Sequence, residues 1–170
     1  RTAKTFSLAM QIAQEMGILN QGDLVVQTAG TLTGISGSTD LIKVGLVRKI
    51  VSRGISIGEI GVTGKARIIK NNLDMSLICP GEILFVPEEL MKNIPLSKNI
   101  AGIVTNQNVN DVYALFNKNN KKISTICNLE NMDNHQISNG DLITLQLNEG
   151  VIYMGQIEDD DDAIDKYKYV

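Results

Sequence analysis

The sequence predicts an α/β chain built from two units. Three observations carry that expectation. Apolar residues near the N-terminus recur at helical spacing. Short β-branched runs separated by turn residues fill most of the remainder. Two of those runs, near the C-terminus, flank a tight-turn signal at Asn148-Glu149-Gly150.

The helix is expected over Thr5–Met16, because Phe6, Ala9, Met10, Ala13 and Met16 fall on one face. Gly17 suits the left-handed position that ends such a helix. Gly22-Asp23 then reads as a turn, Leu24–Val26 as a short strand and Leu41–Val47 as a second one. Between Ser52 and Gly61 the chain carries Gly54, Gly58 and Gly61, with Gly64 just beyond, so the boundary between the units is placed there. The second unit alternates strands and helices. Lys65–Ile69, Ile83–Val86, Ile100–Thr105 and Ile123–Ile126 read as strands. Glu88–Asn93 reads as a short helix entered through Pro87. Val109–Asn117 reads as another helix, capped by Asp111 or Asn110. Asp141–Leu147 and Val151–Met154 should pair as a hairpin, with Gly150 supplying the positive φ of its turn.

Bulk composition narrows the function. A length of 170 residues suits one ordinary domain or two small ones. Hydrophobic residues make up 43%, aromatics only 4%, and Trp is absent, so the core must be aliphatic. The net charge of −3, without a dense Lys/Arg stripe, argues against a nucleic-acid partner, whose phosphates need a basic footprint. No apolar run approaches the roughly 20 residues of a membrane-spanning helix, and the N-terminus lacks a signal-peptide layout. No membrane partner is expected. Cys79 and Cys127 lie far apart without metal-ligand spacing, which points to a reducing cytoplasm.

The most informative local feature is the run Ala29–Asp40, with three glycines and five Ser or Thr residues. Within it, Gly34, Ser36, Gly37, Ser38 and Thr39 can gather backbone N–H groups and hydroxyls around an anion such as a phosphate. An empty polar turn satisfies the same composition. The single histidine, His135, has no second histidine and no nucleophile at a recognisable spacing, so it reads as a surface-loop residue. Glu158–Asp162 lacks the spaced ligands of a calcium loop and reads as a charged tail. Cys127 follows an apolar strand and reads as a buried small hydrophobe. No catalytic residues and no metal ligands emerge.

Gly22-Asp23-Leu24-Val25-Val26-Gln27-Thr28-Ala29-Gly30, continued by Ser36-Gly37-Ser38-Thr39-Asp40-Leu41-Ile42-Lys43-Val44, resembles the pyruvate kinase family. The rest resembles the extra C-terminal domain of some bacterial pyruvate kinases. That domain is similar to the swivelling phosphohistidine domain of phosphoenolpyruvate-utilising enzymes. Gly64-Lys65-Ala66-Arg67, Gly81–Pro87, Ala101–Thr105, Asn139–Thr144 and Gly150–Gly155 carry this second likeness. One departure matters. Those relatives place a Thr-Ser-His segment after the strand ending near Thr105, whereas residues 106–113 here contain no histidine.

The resemblance implies residues 1–53 as the second half of an effector-binding domain. It implies 61–156 as a swivelling-type β/β/α domain, and 157–170 remain as an acidic tail. It further implies a parent enzyme that moves a phosphoryl group from phosphoenolpyruvate to ADP with magnesium and potassium. This chain would hold no catalytic residues. It would bind a phosphorylated effector at Gly34, Ser36, Gly37, Ser38 and Thr39, within a cytoplasmic homo-oligomer, a tetramer for the parent and a dimer for the chain alone. Two alternatives stay open: a phosphoenolpyruvate-dependent phosphocarrier domain, and a standalone small-molecule-binding module.

Overall fold

The structure is a computed structural model that describes residues 2–30, 41–133 and 137–156. The chain divides into two compact units, the first containing residues 1–49 and the second Ile50–Ile157. No helix among the described residues is long and apolar enough to cross a membrane.

In the first unit, helix α1 (Thr2–Glu15) precedes an antiparallel pair, β1 (Leu24–Ala29) and β2 (Leu41–Leu46). Gly17 ends the helix at φ +71°, a left-handed conformation that glycine adopts without steric cost. Of the expected apolar stripe, Phe6 is buried and Met10 and Ala13 are half-buried, while Ala9 and Met16 are exposed. The covered face is therefore an i, i+4, i+7 line, narrower than the periodicity alone suggests. The amide of Gln27 on β1 donates to the Phe6 carbonyl at 2.8 Å, and that of Gln14 donates to the Arg48 carbonyl at 3.0 Å. A Cβ at Gly45 would stand 3.5 Å from the Met10 sulfur, so β2 lies directly on the helix. The other face of the pair aligns Leu24 with Leu46 and Val26 with Val44. All four, and Ile42 beside them, are more than half exposed.

The second unit contains an eight-stranded mixed sheet among the described residues, confirming the α/β class. Its strands are β3 (Ile50–Arg53), β4 (Ile55–Ile57), β5 (Val62–Ile68), β6 (Ile83–Phe85), β7 (Gly102–Val104), β8 (Thr125–Cys127), β9 (Leu142–Gln146) and β10 (Val151–Met154). Their order is β3-β10-β9-β5-β6-β7-β8-β4. Strands β5 to β8 run parallel to one another; β9, β10, β3 and β4 pair antiparallel. The two outermost strands, β3 and β4, are consecutive in the chain and separated only by Gly54. The sheet thus curls until both edges meet in one strand, which leaves fewer open edges for unwanted pairing.

The glycine-rich stretch Ser52–Gly61, where the sequence reading places the boundary between the units, supplies the end of β3 and all of β4. Gly54 and Gly61 in it mark places where a Cβ would meet a neighbouring backbone, 2.3 Å from the Cys127 carbonyl oxygen and 3.1 Å from that of Leu145.

The parallel strands β6, β7 and β8 are short and buried on both faces, as expected for a sheet covered on both sides. Ile83, Phe85, Val104 and Ile126 face one apolar cluster with Leu145 and Ile152. Leu84, Ile103 and Cys127 face the other, beneath Met91 of α2 (Glu88–Met91) and Val112 and Phe116 of α3 (Val109–Lys118). A 3₁₀ helix over Asn72–Leu77, not foreseen from the sequence, adds Met75 to this second cluster. It starts in a reciprocal cap. Asn71 Oδ1 accepts from the backbone of Leu73 and Asp74, while Asp74 Oδ2 accepts from Lys70 and Asn71.

Candidate functional site

The expected anion-binding residues Gly34, Ser36, Gly37, Ser38 and Thr39 lie outside the described residues, as do His135 and the acidic stretch 158–162. What is described is the frame of the loop. The ladder runs from Leu24 opposite Leu46 to Ala29 opposite Leu41, so the connection 30–40 leaves from paired strand ends. At the opposite end of the ladder, Gly22 donates to the Val47 carbonyl at 3.0 Å and Val47 donates to the Asp23 carbonyl at 2.8 Å. Asp23 Oδ2 accepts from the backbone of Asn20 at 2.7 Å.

The second region of interest lies at the carboxyl ends of β7 and β8, in and around residues 106–113, which contain no histidine. Amide side chains knit it together. Asn106 Oδ1 accepts from the Glu88 N–H at 2.8 Å, tying the end of β7 to the start of α2. Thr105 is fully buried, and its hydroxyl accepts from the Gln107 N–H at 3.1 Å. The N-cap of α3 is Asn108, whose Oδ1 accepts from the Asp111 N–H at 3.0 Å. This corrects the expected cap: Asp111 sits inside the first turn, where its carboxylate favours the positive end of the helix. Asn128 Oδ1 accepts from the Val109 N–H at 2.7 Å. Asn128 itself adopts φ +60°, a left-handed conformation that asparagine tolerates better than most residues.

The chemical consequence is direct. A helix N-terminus attracts anions because its first N–H groups lack partners. At α3, amide oxygens already occupy the N–H groups of Val109 and Asp111. Amides bring neither a titratable proton nor a nucleophile near neutral pH.

A part-buried ion pair in this unit is a feature that sequence reasoning missed. Arg67 on β5 makes a two-pronged contact with Glu82, Nε to Oε2 at 3.0 Å and Nη2 to Oε1 at 2.7 Å. The Cys79 N–H adds a third bond to Oε2 at 2.8 Å. The hydrogen bonds from Arg67 hold the Glu82 carboxyl below its usual range, outweighing the upward push of burial. The two residues are fifteen apart in the chain and meet only because β5 and β6 are neighbours.

The two cysteines differ in environment. Cys127 is buried as expected, and burial pushes its thiol up to about 11, while Cys79 is exposed. Among the described residues no group of three or more His, Cys, Asp or Glu side chains is placed to hold a metal.

Comparison with known proteins adds the decisive observation. Residues 1–45 match the family described as pyruvate kinase, alpha/beta domain, and the match ends within β2. Pyruvate kinase 2 of Synechocystis sp. is 36% identical over 156 residues, which is 92% of this chain and 26% of that protein. The chain belongs to the pyruvate kinase family. A pyruvate kinase of Staphylococcus saprophyticus is 30% identical over 86% of the chain and 25% of its own length. The chain thus spans about a quarter of the length of these pyruvate kinases, and the alignment to the Synechocystis protein runs through both units. A solved structure of MccF in complex with glutamyl sulfamoyl guanosine covers 86% of this chain and 56% of its own at 14% identity, with a TM-score of 0.42. At that level the likeness says nothing about function.

Proposed function

We propose that this chain is the regulatory and assembly region of a cytoplasmic, homo-oligomeric pyruvate kinase. The parent would transfer a phosphoryl group from phosphoenolpyruvate to ADP, with magnesium and potassium as its metals. Residues Gly34, Ser36, Gly37, Ser38 and Thr39 receive the phosphate of a small effector, their N–H and hydroxyl groups surrounding its oxygens. The match of residues 1–45 to the pyruvate kinase alpha/beta domain carries this reading. That stretch contains the whole glycine- and serine-rich run.

The second unit contributes packing and not phosphoryl chemistry. Support comes from the knot of amides at the start of α3, where Asn108 and Asn128 occupy helix N–H groups that a phosphate would need. A phosphocarrier needs a nucleophile there to take the phosphoryl group.

The test uses the 170-residue chain in two assays. With phosphoenolpyruvate, ADP, magnesium and potassium, it should form no pyruvate above buffer. After incubation with phosphoenolpyruvate alone, intact mass should show no added phosphoryl group. Turnover would place catalysis in this chain, and a mass gain would make the second unit a phosphocarrier. Either result would overturn the reading.

A further inference from the structure

Asn-Gly occurs once in the sequence, at Asn139-Gly140, in the turn that leads into β9. In such a pair the glycine nitrogen can attack the side-chain amide before it. Glycine sets no side chain in the way and reaches backbone conformations closed to other residues. Gly140 has φ +89°, and nothing lies within 4 Å of where a Cβ would stand. Both residues are exposed, so base and water can reach them.

The fold nonetheless ties both reacting groups to β5. The β5–β9 ladder ends with Lys65 opposite Leu142. Beyond it, the Ala66 N–H donates to the Asp141 carbonyl at 2.8 Å, and the Gly140 N–H donates to the Ala66 carbonyl at 2.8 Å. Further along, Asn139 Oδ1 accepts from the Ile68 N–H at 2.7 Å. The Asp141 carboxylate braces the turn, its Oδ2 accepting from the Ser138 N–H at 2.8 Å. The nitrogen that would attack has its proton committed to Ala66, and the carbonyl that would be attacked is held at Ile68.

We infer that Asn139 is a site of spontaneous deamidation whose rate is set by the opening of this clamp. Once released, the Gly140 nitrogen loses its proton to base and bonds to Asn139 Cγ. The Cγ–Nδ2 bond breaks, and the side-chain nitrogen leaves as ammonia. Water then opens the cyclic imide at either carbonyl, giving aspartate or isoaspartate, so that one water is taken up for each ammonia lost. Aspartate keeps an oxygen for Ile68. Isoaspartate carries the main chain through Cγ, one atom longer, and moves Gly140 out of register with Ala66. Nothing in this chemistry depends on the effector loop at residues 34–39 or on the parent's activity.

The experiment follows the 170-residue chain at pH 8 by peptide mapping, in buffer and in urea. The product peptide carries an oxygen in place of an NH. In urea, Asn139 should convert faster than every other asparagine. In buffer it should convert about tenfold more slowly or less, because two hydrogen bonds must open first. Asp141→Ala removes the brace and should speed the native reaction several-fold, with faster hydrogen exchange at the Gly140 amide. Asp141→Asn keeps an acceptor oxygen and should stay near the original rate. Unchanged exchange at Leu145, in the core of the sheet, checks that the variants remain folded. Equal rates in buffer and urea, a slower rate at Asn139 than at other asparagines in urea, or no acceleration in a folded Asp141→Ala variant would overturn the inference.

Discussion

Gly54 faces the carbonyl oxygen of Cys127 so closely that a Cβ on it would lie 2.3 Å away. On its other side, the Gly54 N–H donates to the Gly150 carbonyl at 3.0 Å. One residue therefore touches β8 through its missing side chain and the β9–β10 turn through its backbone. Gly150 is equally confined, since a Cβ there would lie 2.5 Å from the Gly54 carbonyl. These two glycines are the joint at which the sheet meets itself. Gly54→Ala should destabilise the chain by about 2–4 kcal/mol, because a backbone oxygen cannot yield as a flexible side chain can. Gly140→Ala is the comparison. Its φ of +89° is strained for alanine, but nothing lies within 4 Å, so the cost should be nearer ~1 kcal/mol. Urea unfolding of both variants measures the difference, and equal losses would show that the joint tolerates a side chain.

The Arg67–Glu82 pair predicts an acid-sensitive component of stability. The folded-state carboxyl is lowered below its ordinary value by the Arg67 hydrogen bonds. A lowered value means stability that is fully present above the unfolded pKa of about 4.3 and is lost as pH falls through the folded one. Glu82→Gln removes this dependence. It should also cost about 2–3 kcal/mol at pH 7, because Arg67 keeps its charge without its partner. Melting temperatures from pH 7 to pH 3 test both points. The variant should start lower and fall less steeply below about pH 4.5. Parallel curves would remove the pair from the acid response.

The two cysteines should separate cleanly by reactivity. The Cys127 thiol is inaccessible, and its pKa of about 11 keeps it protonated at pH 8, whereas Cys79 is exposed. Iodoacetamide at pH 8 should label Cys79 in the native chain and Cys127 only in urea. Peptide mapping that found both modified at one rate would mean that the second unit opens readily.

The cap of α3 offers a test of the amide knot. Asn108→Ala should cost about 1 kcal/mol, and Asn108→Asp should retain most of it, since a carboxylate accepts the same N–H bond. Urea unfolding distinguishes them, and an alanine variant as stable as the parent chain would show that Asn108 contributes nothing as a cap.

Parts of this architecture were legible in the sequence, for local reasons. The hairpin β9–β10 follows from its turn, with Gly150 at φ +67°. The buried strands β6 to β8 follow from short unbroken apolar runs. What stayed hidden depends on neighbours distant in sequence. Ser52–Gly61 reads as a glycine-rich boundary because nothing in it reveals that Gly54 lies against Cys127 and Gly150. Arg67 and Glu82 look like ordinary surface charges until β5 and β6 are set side by side. The helix cap fell on Asn108 rather than Asn110 or Asp111 because Asn108, Asn110 and Asp111, with only Val109 among them, offer the same capping chemistry within four positions. The anion loop was read from composition and resemblance, and its residues lie outside the described ones.

The most direct measurement is effector titration of the whole enzyme that carries this chain, with Ser36→Ala and Thr39→Ala introduced together. Each hydroxyl removed deletes one donor to the phosphate, at about 1 kcal/mol or more apiece, so the half-saturating concentration of a sugar phosphate or nucleotide effector should rise about tenfold or more. The coupled activity assay reads that concentration as the midpoint of the regulatory response. An effector response identical to that of the unmodified enzyme, at every effector tested, would contradict the assignment of Gly34–Asp40 as the effector site.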